Sequence, residues 1–188
     1  MAERTVLQSG DVSRALMRIS HQILEANQGP EGLVLLGIPT RGVPLAQRIG
    51  ANLRQICGDD AELLGNDFVG SLDVSMYRDD LRRRSITVAH PTSIPASGID
   101  GRTVVLVDDV LFSGRTIRAA LDAISDIGRP SAVRLAVLVD RGHRELPIRA
   151  DFVGKNLPSA RSERIDVLLQ EIDGGEDAVV IRDSEDER

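Results

Sequence analysis

An α/β fold, a mostly parallel sheet flanked by helices, is predicted by three features of the chain. Aliphatic runs at 33–36, 104–107 and 132–139 suit strands buried on both faces, as parallel sheets require. Segments with apolar residues at helical spacing alternate with those runs, the order that builds βαβ units. The 188 residues, 41% of them hydrophobic, can bury one core, and no linker-like stretch divides them. One domain over residues 1–188 is therefore expected, with a lid loop at about 78–101, a hood at about 140–181 and an acidic tail at 182–188.

Residues 11–26 place Val12, Ala15, Leu16, Ile19 and Ile23 on one helical face, with Asp11 or Ser13 available as cap. The opposite stripe is Arg14, Arg18, His21 and Glu25. The strand at 33–36 leads into a turn over 37–42 and a helix to about Ile56. Val69, Leu72, Val74 and Met76 predict a further strand, followed by a charge run at 78–84. Pro91, Pro95, Gly98 and Gly101 make 78–101 a long irregular excursion of the kind that forms active-site lids. Beyond the strand at 104–107, Ile117, Ala120, Leu121 and Ile124 mark a helix, and 132–139 the next buried strand. A charged loop at 140–151 precedes short strands at 152–154, 165–169 and 178–181, expected to form a small cap, and the tail from 182 is expected to fray.

The formal net charge is −6, which argues against broad attraction to nucleic acid and confines any RNA contact to a local patch. Lys155 is the only lysine, so nearly all the positive charge is arginine, whose planar fork suits phosphates. With no Trp, one Tyr and three Phe, a base-stacking surface of the single-strand-binding kind is not expected. The lone Cys57 excludes a disulfide framework and a thiolate metal cluster, and no apolar run has the length of a membrane span, so a cytoplasmic protein is expected.

The stretch 104–116 (VVLVDDVLFSGRT) carries the chemistry. Ligands of parallel sheets bind beyond the carboxyl ends of strands, where Asp108 and Asp109 fall. Ser113–Thr116 then open a helix, so their hydroxyls and backbone N–H groups face an anion, and Gly114 lets the backbone approach closely. Paired carboxylates suit ribose hydroxyls or a bound Mg²⁺, and a ribose 5-phosphate satisfies both halves. The same residues also suit an ordinary strand-to-helix connection capped by Ser113. No Walker lysine and no dinucleotide glycine triplet is present. Thr40, Arg41 and Gly42 form a turn at the end of the first core strand, where backbone N–H groups can hold an anion. Arg78 is a candidate to close over a leaving phosphate group, whereas Arg82, Arg83 and Arg84 serve equally well as solvated charges. His21, His90, His143 and Cys57 show no zinc-ligand spacing.

The stretch 104–116 resembles the phosphoribosyl-pyrophosphate (PRPP) signature of the type I phosphoribosyltransferases. More narrowly, the runs GIPTRG at 37–42, MYRDDL at 76–81 and VDRGHRELPIRAD at 139–151 resemble the bifunctional pyrimidine operon regulators with uracil phosphoribosyltransferase activity, over roughly residues 11–181. The resemblance implies a type I phosphoribosyltransferase fold and the reaction of uracil with PRPP to give UMP and pyrophosphate. It implies nucleotide binding by Thr40, Arg41, Gly42, Asp108, Asp109, Val110, Leu111, Phe112, Ser113, Gly114, Arg115 and Thr116, with Asp108, Asp109 and Arg78 carrying catalysis. Mg²⁺ would enter with PRPP and have no direct protein ligand set. Arg141 and Ile165 match positions on the uracil side. Phe112 departs from purine-using relatives, which have an acidic residue there; an aromatic ring cannot take a proton from the base.

The resemblance further implies binding to a pyrimidine operon mRNA leader with UMP as co-regulator, through Arg18, His21, His143, Arg144, Arg149 and Lys155, in a homodimer or higher homo-oligomer. Control could act on transcription or on translation. The alternatives are a nucleotide-sensing RNA-binding regulator with little physiological catalysis, or a purine salvage phosphoribosyltransferase. No membrane association is expected.

Overall fold

Alternation within the core strands decides which layer each side chain joins. In the computed structural model, which describes residues 3–78 and 91–183, strand β2 (Leu33–Gly37) sends Leu33 and Leu35 to one face and Val34 and Leu36 to the other. β4 (Thr103–Leu111) does the same with Val105 and Val107 against Val104 and Leu106. β5 (Ala132–Asp140) divides Ala136 and Leu138 from Leu135 and Val137. Both faces are buried over 33–36, 104–107 and 135–139, and those stretches are apolar, as a parallel sheet covered on both sides requires.

The core sheet has five parallel strands in the order β3-β2-β4-β5-β6, with β3 at Val69–Ser71 and β6 at Phe152–Asn156. Helices α1 (Ser9–Asn27) and α2 (Gly42–Cys57) cover one face, and α3 (Arg115–Ile127) covers the other. A second, antiparallel sheet orders β1 (Glu3–Gln8), β8 (Ala178–Asp183) and β7 (Glu163–Leu168), and drives Leu7, Ile165, Val167, Val179 and Ile181 into the core beneath α1 and α2. A short helix α4 (Gln170–Asp173) connects β7 to β8.

Several expected boundaries move. Helix α1 begins at Ser9, and Asp11 acts from its third position, accepting a hydrogen bond from the Gln8 N–H at 3.0 Å, so neither Asp11 nor Ser13 is the cap residue itself. Strand β1 leaves no local pattern in the sequence because its pairing partner lies 179 residues away (Glu3 with Arg182) and only Leu7 is buried. The strand expected to reach Met76 stops at Ser71. The Asp73 carboxylate accepts from the Ser75 N–H (2.9 Å) and hydroxyl (2.6 Å), which turns the chain into a 3₁₀ turn at Ser75–Tyr77. The strand expected at 152–154 as part of the cap runs over Phe152–Asn156 and pairs in parallel with β5 as the edge of the core sheet. Leu121 is 39% exposed, and Ala119 and Ala123 fill the buried face of α3 in its place. Arg182 and Asp183 are paired in β8, and Arg182 bonds Glu3 and Asp166, each at 2.8 Å.

Of the lid segment, residues 91–101 pack on the body: Ser93 exchanges two 2.9 Å backbone bonds with Ser71, and Ile99 is buried. Arg82, Arg83, Arg84 and His90 lie outside the described residues. Among the described residues no helix is long and apolar enough to cross a membrane.

The antiparallel sheet is clamped to α2 by one arginine. Arg48 donates to Glu171 (2.8 and 2.6 Å) and to Asp177 (2.5 and 2.9 Å), with the Asp177 side chain only 8% exposed. The guanidinium holds both carboxyls below the usual carboxylate range. R48M is expected to lower unfolding stability in urea at pH 7 by about 2 kcal/mol, because it strands a buried carboxylate. Depressed carboxyl pKa values add stability above the unfolded value of about 4 and lose it as pH falls through the folded values, so the gap between wild type and variant closes on acidification.

Candidate active site

Strand β4 carries the acids inside its span, since the strand continues through Asp108 and Asp109 to Leu111. Asp108 is 8% exposed, and its Oδ1 accepts from the Asp109 N–H at 2.9 Å. The Asp109 Oδ1 accepts from the Val110 N–H at 2.8 Å and the residue is half-buried, nearer the solvent. Burial, followed by the adjacent Asp109 carboxylate, pushes the Asp108 carboxyl well above its ordinary range; the Arg78 guanidinium opposes this more weakly. Each acid spends one oxygen on the N–H of the residue that follows it, and the second oxygen of the more exposed Asp109 is suited to hydroxyl donors or a cation.

The neighbouring strand supplies a loop that packs directly on this point. Ile38 N–H donates to the Val107 carbonyl at 2.9 Å, and a Cβ on Gly42 would lie 2.3 Å from the same oxygen, so only glycine fits there. Thr40 is exposed, and the Pro39–Thr40 peptide is cis. Arg41 donates to Asp173 of α4 at 2.9 Å, while its buried Nε has no hydrogen-bond partner among the described residues.

Beyond β4 the chain turns through Phe112–Gly114. Gly114 caps α3 at φ +92°, a left-handed conformation that glycine adopts without strain, and no side chain caps the helix. Ser113 Oγ meets the Arg115 N–H only at 3.3 Å. The first turn of α3 thus offers backbone N–H groups and the positive end of the helix to an anion. Arg78 reaches across to Thr116, its Nη1 donating to Oγ1 at 3.3 Å. The structure accordingly brings Arg78, Asp108, Asp109 and the 113–116 turn together, with Thr40–Gly42 packed on the adjacent strand. Val110, Leu111 and Arg115 contribute backbone and shape: Leu111 is buried, and Arg115 pairs with Glu145 at 2.7 Å.

Arg141 is 7% exposed. Its guanidinium lies 4.4 Å from the Phe112 ring centroid, donates to the Ala160 carbonyl at 2.8 Å, and has a buried Nε without a partner among the described residues; burial lowers its pKa. His143 meets Phe112 edge-on at 6.3 Å between centroids. Arg141 therefore borders the signature turn, whereas Ile165 is a core residue under the antiparallel sheet. Among the described residues no group of three metal-ligating side chains occurs.

The basic candidates fall along the β6 edge. Arg18 donates to the Gly154 carbonyl, covering that edge next to Lys155; His21 is exposed further along α1. His143, Arg144 and Arg149 line one cavity with Asn156 and Ser159, and the His143 Nε2 contacts the Ser159 carbonyl. Arg144 also donates to Asp140, Ile148, Phe112 and Gly142. Sequence reasoning missed these bonds, and also Asp173 and Asp177, because each depends on contacts between segments distant in the chain or on a loop's closed path.

A family model described as the phosphoribosyl transferase domain matches residues 4–169. The bifunctional protein PyrR of Leifsonia xyli subsp. xyli is 66% identical over 185 residues, covering 97% of this chain and 98% of that protein. Its counterpart in Streptomyces coelicolor is 61% identical over 171 residues (91% and 86% covered), and that of Roseiflexus sp. 56% over 182 residues (96% of each). Among solved structures, the hypoxanthine phosphoribosyltransferase of Trypanosoma cruzi superimposes with a TM-score of 0.68 over 98% of each chain, at 18% identity, which speaks to the fold. The carboxylate pair, the uncapped helix start and these matches together show that the chain belongs to the phosphoribosyltransferase family and, within it, to the bifunctional PyrR proteins.

Proposed function

We propose that the chain transfers the phosphoribosyl group of PRPP to uracil, forming the bond from N1 of the base to C1 of the ribose as the C1–pyrophosphate bond breaks and the N1 proton is released, and that it binds a pyrimidine operon mRNA leader with UMP as co-regulator. The observation that carries the reading is the meeting of the Asp108–Asp109 pair with the uncapped, glycine-opened start of α3. The 5-phosphate fits the N–H groups and hydroxyls of Ser113–Thr116, and the ribose hydroxyls fit the acids. Thr40, Arg41 and Arg78 suit the pyrophosphate, which arrives as its Mg²⁺ complex and is part of the substrate. Positive charge developing on the ribose is favoured by the Asp109 carboxylate. The Phe112 ring has no proton-accepting atom for a purine N7, which supports a pyrimidine, and Arg141 borders the space for it.

UMP formation from uracil, PRPP and Mg²⁺ is the first expected result. Hypoxanthine or orotate reacting in place of uracil would overturn the substrate assignment. D109N should lower kcat/KM at least about tenfold, the scale of one charge-assisted hydrogen bond to the transition state.

Asp108 has a raised pKa, so it gains its charge only above the ordinary aspartate range of about 4. If hydroxyl donors and the cation complex favour its charged form, kcat/KM rises with pH through that ionisation, and D108N removes the acid limb. An identical pH profile in D108N would exclude the role.

For RNA, Arg18, His21, His143, Arg144, Arg149 and Lys155 form the candidate surface along the β6 edge. Filter binding of a pyrimidine operon leader at fixed salt should tighten with UMP. Equal, salt-sensitive binding to any RNA would reduce the surface to generic electrostatics.

A further inference from the structure

Two side chains of the loop after β5 converge on one aromatic ring beside the phosphate turn. The Arg141 N–H donates to the Leu111 carbonyl at 3.1 Å, which sets Arg141 next to Phe112 where β5 and β4 end. Its guanidinium lies over the Phe112 ring, 4.4 Å from the centroid, and donates to the Ala160 carbonyl at 2.8 Å. Gly142 (φ +76°) and His143 (φ +58°) are both left-handed, a conformation that residues with a Cβ seldom take. The chain thereby folds back, and His143, two residues on from Arg141, meets the same ring edge-on at 6.3 Å between centroids. The His143 Nε2 contacts the Ser159 carbonyl, the neighbour of the one that Arg141 holds. Phe112, Arg141 and His143 form one cluster pinned to the 159–160 backbone.

Phe112 is 38% exposed, although Leu111 before it is buried. It directly precedes the Ser113–Thr116 turn, and Arg141 borders the space for the base. A nucleotide with its phosphate on the turn and its base toward Arg141 therefore covers the ring and removes water from the stack. A cation over a ring face is attracted more strongly once the pair is desolvated. Occupancy of the site thus tightens the hold of Phe112 on Arg141, and the edge contact carries this to His143. At His143 the segment enters the cavity that it lines with Arg144, Arg149 and Asn156 at the β6 edge.

We propose that Phe112 links the nucleotide site to the basic loop, its ring contacts with Arg141 and His143 being the route by which bound UMP favours RNA on the β6 side. The proposal rests on the UMP and RNA reading above and names the residue that joins the two sites. Coupling is reciprocal, so RNA raises UMP affinity by the same factor.

The test uses F112L, which removes the ring and keeps an apolar side chain, and F112Y, which keeps the ring. Leader RNA affinity is measured without UMP and at saturating UMP, so that a change in UMP affinity does not pass for a change in coupling. UMP is expected to tighten wild-type binding about fivefold or more, and F112L to bring that factor to within about twofold of one, while F112Y keeps most of it. In parallel, NMR follows the His143 ring, told from His21 and His90 by the loss of its signal in H143N. Adding UMP should move that signal in wild type and move it far less in F112L. An F112L factor equal to that of wild type, a His143 signal that UMP leaves in place in wild type, or one that it shifts equally in F112L, would overturn the link. Should F112L fail to fold, the wild-type signal and F112Y decide, a factor of one in F112Y counting against the ring. If wild-type RNA binding ignores UMP, the co-regulator reading fails, and the His143 signal still decides whether the nucleotide reaches the loop through Phe112.

Discussion

Burial of one carboxylate beside another is the constraint on which the site depends. Asp108 lies in a strand among fully buried aliphatic residues, with Asp109 next to it, and the Arg78 guanidinium offsets that charge less than burial and the neighbouring acid oppose it. Water would solvate both charges better than this position does, so burial and the neighbouring carboxylate push the Asp108 carboxyl above its ordinary range. Such an arrangement persists in folds that gain from it when a ligand brings the missing donors. The surrounding core supplies the stability that tolerates it: both faces of β4 are packed, and β2 and β5 flank it in register through Val107.

The parallel sheet was legible because its strands are apolar on both faces, and the site was legible because its residues are contiguous in the chain. Asp108 to Thr116 form one strand end, one turn and one helix start, so spacing alone places them. What escaped has a common cause. Strand β1 exists through pairing with β8 at the far end of the chain, and β6 joins the core sheet because Phe152 and Val153 find Ala136 and Val137. Pairing between distant segments leaves no local pattern when the strand is short. Likewise, the Ser75–Tyr77 turn follows from a single side chain, Asp73, overriding an alternation that otherwise reads as strand.

Charge on a surface loop was the least legible quantity. His143, Arg144 and Arg149 look alike in sequence as donors for phosphate, yet the structure separates them by what each already holds. Arg144 is shared among three carbonyls and a carboxylate, while Arg149 is exposed on the same cavity.

One loop consequently serves two neighbours. Its inner side, through Glu145 and Leu146, fixes the Ser113 carbonyl of the turn that opens α3; its outer side, through His143, Arg144 and Arg149, borders the β6 edge. The two sides lie on a segment of only a few residues, tied at one end by Arg141 to Leu111 and at the other by Asp151 to Leu135. A segment that short and that tied cannot shift one side without the other. If a ligand at the turn shifts this segment, a partner on the basic side is affected as well, and linkage makes the two effects equal in factor.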